Sequence, residues 1–164
     1  MSMDSQFTER DQERGRAADD ERASSGGELL RLPVCVNDVE LGRPTDLLVD
    51  LDRLRVVGVD VHCDEGGHRF LPLAAAELSA EQINATSSLA LLDESAYYRK
   101  HGASLSSLRG ASVDLGGRRV GALADIVLRP NGEVTRVVVE RDSGRVRRLR
   151  AARVCIRRPK TVRR

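Results

Sequence analysis

The residue types best suited to chemistry gather at one point, where His62, Cys63, Asp64 and His68 surround the turn Asp64-Glu65-Gly66-Gly67. Cys63 and His68 can face each other across a hairpin closed by that turn, and thiolate with imidazole is a donor set that zinc accepts. Zinc, however, needs four ligands oriented by a supporting shell of hydrogen bonds. A later segment of similar sequence carries Arg141 and Val146 at the places of Cys63 and His68, so the turn forms without metal and reads as an exposed hairpin. Asp46 and Asp125 also hold equivalent places. Paired carboxylates do general acid–base work only when they share a cleft, whereas an aspartate recurring once per unit reads as an acceptor for backbone amides. Cys35, Cys63 and Cys155 are odd in number and lack Cys-x-x-Cys spacing, which signals neither a disulfide framework nor a zinc ribbon and fits a reducing compartment. With no Gly-x-Ser-x-Gly, His-Glu-x-x-His or Walker sequence, the expectation is a non-enzyme without cofactor, metal or small-molecule substrate.

Charge is distributed more tellingly than these groups. Residues 1–100 carry 11 Lys and Arg against 20 Asp and Glu, or −9, and residues 101–164 carry 16 against 5, or +11. The excess peaks in GRVRRLRAARVCIRRPK, where both parities of a strand contain arginine. Arg145, Arg147, Arg148, Arg150, Arg153, Arg157 and Arg158 are therefore the candidate surface for an anionic partner. The competing reading is a coding habit on a solvated strand, since 25 of the 27 basic residues are Arg. The four aromatics, Phe7, Phe70, Tyr97 and Tyr98, offer no platform for stacking bases. A protein partner, including the acidic half of a second copy, is the first expectation; RNA or a ribosome is the alternative, and acidic lipid headgroups come third because no amphipathic helix accompanies the charge.

These side chains must be positioned by an aliphatic core. Leu, Val, Ile and Phe make up 43 of 164 residues, enough for a folded domain. No apolar run approaches a membrane span and the first 28 residues are charged, so the expectation is a cytoplasmic protein without an integral membrane segment.

The strongest signal is internal self-similarity. Residues 29–50 align with 108–129 at an offset of 79, and after one extra residue near Asp50–Leu54 the register continues at 78. The identities include Gly42/Gly121, Asp46/Asp125, Val59/Val137, Gly66/Gly144 and Arg69/Arg147. Each unit reads as short strands: RVVGVDV and VTRVVVE are β-branched, and RPNG, DEGG and DSGR are hairpin turns. Gly116-Gly117 suits a tight turn whose counterpart is Asn37-Asp38. Gly42 and Gly121, mid-strand, mark a bulge or a close approach of backbones. About five short strands in roughly 50 residues favour a small curved barrel over two broad sheets.

The segment GGRRVGALADIVLRPNGEVTRVVVERDSG resembles the PRC-barrel domain family. ELGRPTDLLVDLDRLRVVGVDVHCDEGGHRFLPL is similar, departing at Arg43-Pro44 and in its longer turn after Asp50. The resemblance implies a mainly β fold of two small, strongly curved barrels from an internal duplication, joined by a segment with one α-helix. It further implies an adaptor that binds another macromolecule, with no catalytic residues to carry over. The expected organisation is a disordered acidic arm (1–27), a first unit (28–78), a linker (79–104) with a helix over about 89–101 capped by Ser88, a second unit (105–156) and a basic tail (157–164). Deleting the arm is expected to leave the thermal midpoint unchanged. Of Tyr97 and Tyr98, at least one should pack on a barrel. Phe70 and Pro72 stand where the second unit has Arg148 and Arg150, suggesting a face covered in one barrel and wet in the other, with Phe70 as a candidate protein contact.

Overall fold

The computed structural model describes residues 22–158; the expected arm over 1–21 and tail over 159–164 lie outside the described residues. The described chain is mainly β and forms two curled sheets. In the first, β2 (Val34–Val36), β3 (Val39–Asp50), β4 (Arg55–Cys63), β5 (His68–Pro72), β6 (Ala76–Leu78) and β7 (Ile83–Ala85) lie in the order β5-β4-β3-β2-β7-β6. In the second, β9 (Ser112–Leu115), β10 (Arg118–Leu128), β11 (Val134–Glu140), β12 (Val146–Arg150) and β13 (Val154–Ile156) lie in the order β12-β11-β10-β9-β13. The β13 strand pairs directly with β9, whereas β7 separates β6 from β2.

Turn chemistry explains the hairpins. Asn37 and Asp38 (φ 49° and 62°) and Gly116 and Gly117 (φ 58° and 79°) adopt the left-handed conformation that matches the strands' twist in a two-residue loop. Gly42 and Gly121 sit beside register shifts, and a β-carbon there would lie 2.3 Å from the His62 carbonyl oxygen and 2.4 Å from that of Glu140. The close approach expected from sequence is present at both positions.

The segment that leads into each sheet adds to the other sheet. Strand β1 (Ser24–Ser25) precedes the single-turn helix α1 (Gly26–Leu29), and β8 (Ala103–Ser104) precedes the single-turn α3 (Leu105–Leu108). β1 adds to β10 of the second sheet, pairing Ser25 with Val127, while β8 adds to β3 of the first, pairing Ser104 with Leu48. The long hairpins also meet tip to tip. The Val56 amide donates to the Gly132 carbonyl (2.8 Å), the Val134 amide donates to that of Leu54 (2.9 Å), and Arg55 bridges Glu133 between them. These contacts interchange under the offset seen in the sequence. One continuous core results, in which Leu29, Val59, Leu105, Leu108, Val113 and Val137 are buried.

Two expectations need correction. Residues 22–27 belong to the fold: beyond the β1 pairing, Ser25 and Glu28 form a reciprocal capping box at α1 and the Gly27 amide donates to Asp125 Oδ2 (3.0 Å). Composition hid this because the segment is held by backbone and capping bonds. Deleting residues 1–27 should therefore lower stability by on the order of 2 kcal/mol and the Tm by roughly 4–8 °C in a calorimetric scan. An unchanged Tm would show that this docking contributes nothing.

The linker helix is shorter than its pattern suggested. Residues Ser88–Ala90 form a single 3-10 turn, and α2 spans only Ala96–His101. Between them Leu92 is extended, donating its amide to the Phe70 carbonyl (2.7 Å) and accepting from the Phe70 amide (2.8 Å). A sheet edge offers that backbone stronger partners than a marginal three-turn helix does.

Candidate functional site

Strand β12 ends the second sheet, and among the described residues no strand lies beyond it. Opposite it on β11 stand Val139 facing Arg147, Val138 facing Arg148 and Arg136 facing Arg150; the one carboxylate of the ladder, Glu140, faces Val146 rather than an arginine. Arg145, Arg147, Arg148, Arg150 and Arg153 are exposed, and among the described residues none of them forms an ion pair. Val146 is 59% exposed beside them. The run of basic residues thus becomes one cationic sheet edge with the adjoining turn and 3-10 helix.

Two of the seven candidate arginines behave differently. Arg157 Nε donates to Asp114 Oδ2 at 2.6 Å, and the Asp114 side chain is only 8% exposed. Arg157 is therefore held in place as counter-ion to a buried carboxylate. Arg158 lies 3.5 Å from Asp52 of the first unit. The candidate surface contracts to the five residues on and beside β12.

Backbone geometry adds what side chains alone do not reveal. The Arg141 amide donates to the Arg145 carbonyl (2.9 Å) at the β11–β12 turn. Antiparallel ladders alternate bonded and non-bonded pairs, so the amides and carbonyls of Val146 and Arg148 point away from β11, toward the open edge. At the corresponding edge of the first sheet, Phe70 has these groups satisfied by Leu92. Arg69, the counterpart of Arg147, is 3.3 Å from Asp93. The expected difference between a covered and a wet face is thus present, and its cover is the linker.

Phe70 itself must be reassigned. It is 1% exposed, with the Tyr98 ring packed on it at a tilt of 35° and a centroid distance of 4.6 Å. Its contact is with this chain's own α2, which Arg99 fastens to Asp60 by bonds of 2.9 and 3.0 Å. Tyr97 remains 71% exposed, so one tyrosine packs and the other reaches solvent.

The His–Cys turn is arranged differently from its sequence reading. His62, not Cys63, faces His68 across the hairpin, with ring centroids 5.0 Å apart. Alternation along β4 turns Cys63 to the opposite, core side, where it is buried with Val59 and Val61. Among the described residues no three His, Cys, Asp or Glu side chains are grouped to hold a metal ion. Burial, with the nearby Glu40 and Asp38 carboxylates, pushes the Cys35 thiol above its ordinary pKa, which keeps it in the unreactive protonated form. Only Cys155 of the three free cysteines is exposed. A disulfide thiol reagent should therefore modify one thiol per native chain rapidly and all three after denaturation; rapid reaction of two or three native thiols would contradict the burial of Cys35 and Cys63.

Asp46 and Asp125 accept backbone hydrogen bonds, as the repeated pattern suggested, but across units. Asp125 Oδ1 accepts from the Ile126 amide (2.8 Å) and Oδ2 from the Gly27 amide (3.0 Å). Asp46 Oδ1 accepts from the amides of Leu47 (2.9 Å) and Ser106 (3.1 Å), and Oδ2 accepts from the Ser106 hydroxyl. Each carboxylate clasps the start of the single-turn helix carried by the other unit. A cleft of about 810 Å³ lies beside α1, between Glu28, Arg31, Leu78 and Leu128; none of the residues singled out by sequence lines it.

Among the described residues, no helix is long and apolar enough to cross a membrane. No protein-family model and no curated protein matches the chain.

Proposed function

We propose that this chain is a non-enzymatic adaptor built from two PRC-type barrel units of duplicated origin, and that it binds a protein partner through the arginine edge of β12. The observation that carries this reading is the set of Arg145, Arg147, Arg148, Arg150 and Arg153, exposed on one sheet edge and joined to no carboxylate among the described residues. Duplication is supported by the contacts that interchange at the sequence offset: Asp46 with Asp125, β1 with β8, and Val56 with Val134. A protein partner is favoured because, among the described residues, the edge combines charge with an exposed valine and strand backbone that has no partner, and carries none of the aromatic side chains on which single-stranded bases stack. Three free thiols suit a reducing cytoplasm.

The second reading, a ribosome- or RNA-associated assembly factor, draws on the same arginines, since a dense cationic edge attracts phosphates. Affinity capture from native extract at moderate salt, with and without ribonuclease, separates the two. The adaptor reading expects protein partners that survive ribonuclease. Recovery of rRNA with ribosomal proteins, lost on nuclease treatment, would overturn it in favour of the second.

A further inference from the structure

The first sheet shows how this chain closes such an edge. At β5 an extended segment, Leu91-Leu92-Asp93, lies antiparallel to the strand: Leu92 exchanges both backbone hydrogen bonds with Phe70 (2.7 and 2.8 Å), Asp93 lies 3.3 Å from Arg69, and Leu91 is buried. The cover is thus an acidic and apolar peptide joined to the strand by backbone hydrogen bonds and an ion pair. At β12 the corresponding residues are Arg148 for Phe70 and Arg147 for Arg69. Among the described residues the outward amide and carbonyl of Arg148 have no partner and no strand lies beyond β12. Arg145, Arg147 and Arg150 surround that position.

We infer that the open edge of β12 receives an extended acidic peptide segment of a partner protein as an added antiparallel strand, closing on Arg148 the pair of backbone bonds that Leu92 closes on Phe70. The inference rests on the proposed adaptor function and specifies its mode of recognition. In strand addition the main chain supplies affinity and alternate side chains supply specificity. Carboxylates on the incoming strand would meet the arginines here as Asp93 meets Arg69. A second copy's β12 is a poor occupant, because antiparallel self-pairing sets arginine against arginine, and like charges directly opposite destabilise a ladder.

The test uses the full-length protein and a fluorescent peptide of the sequence Ser-Leu-Ala-Leu-Leu-Asp-Glu-Ser, copied from residues 88–95. Binding is read by anisotropy, and its place by hydrogen exchange at the Arg148 amide. Arg148→Pro removes one outward amide while leaving the β11 ladder intact, since proline is tolerated on an edge strand when its nitrogen faces outward. The proposal expects binding, protection of the Arg148 amide, and a loss of about tenfold in Arg148→Pro but not in Arg148→Ala. It also expects a similar loss when the peptide nitrogen opposite Arg148 is methylated, and loss when the peptide's two acids are replaced by lysine. Unchanged dispersion in the Arg148→Pro NMR spectrum establishes that the variant is folded. No binding to the wild type at millimolar peptide overturns strand addition. Binding that falls when Arg145, Arg147, Arg148 and Arg150 become Gln but ignores Arg148→Pro and N-methylation also overturns strand addition, leaving the basic edge as a partner surface. Binding indifferent to every one of these changes overturns both.

Discussion

Residues 28–104 expressed alone should give an aggregating or molten product rather than a folded domain. The fragment keeps β8 but loses α3, and with it Leu105 and Leu108, both 0% exposed in the intact chain. It also loses Gly132 and Val134, the hydrogen-bond partners of Val56 and Leu54 at the hairpin tip. A unit of this size without disulfide or metal is marginal even with its core complete. Removing two buried leucines costs several kcal/mol, since a single Leu→Ala at such a site costs about 2–5 kcal/mol, against a total stability of roughly 5–15 kcal/mol. Collapsed, poorly dispersed amide resonances with strong dye binding are the expected result. A well-dispersed spectrum would show that the first unit is self-sufficient and that the exchange of leading segments is incidental.

Replacing both Asp46 and Asp125 by Ala should be strongly destabilising. Each carboxylate accepts two backbone amides, one from its own following residue and one from the other unit's single-turn helix. Hydrogen bonds to charged groups contribute about 1.5–3 kcal/mol, and the orphaned amides lose their partners. Each single substitution should lower the unfolding free energy by roughly 1.5–3 kcal/mol in urea titrations. The double variant should lose on the order of 3–6 kcal/mol, a large share of a total stability of roughly 5–15 kcal/mol. Asn at either site retains one acceptor oxygen and should cost less. Changes below about 0.5 kcal/mol, the range of ordinary surface substitutions, would reduce the two aspartates to solvated side chains.

Local features carried most of the strand layout. β-Branched runs, Gly-Gly and Asn-Asp turns, and the mid-strand glycines report backbone conformation directly, and the structure places turns, strands and close approaches at those positions. What escaped the sequence is non-local. The Ser24–Ser25 segment is polar and short, so nothing in its composition announces that it pairs with Val127 and Leu128 about a hundred residues away. Leu89, Leu92 and Ala96 share a helical spacing, yet Phe70 captures Leu92 as an extended bridge, a tertiary contact overriding a local period. The candidate surface was legible as a run of arginines. Its contraction to five residues was not, because the ion pair of Arg157 with Asp114 depends on β13 returning beside β9. The substitution of Phe70 by Arg148 between units was the one signal that foretold unequal edges.

The arginines of β12 are the proposed binding surface. Substituting Arg145, Arg147, Arg148 and Arg150 together by Gln tests this most directly, because all four are exposed and the fold should survive their loss of charge. The measurement is the affinity, at two salt concentrations, of wild type and variant for the partner recovered from native extract. An unchanged Tm, at least tenfold weaker binding by the variant and a flatter dependence on salt are the expected results. Equal affinity of the two proteins for every captured partner would contradict that role, and would leave the arginines as charge on a solvated strand.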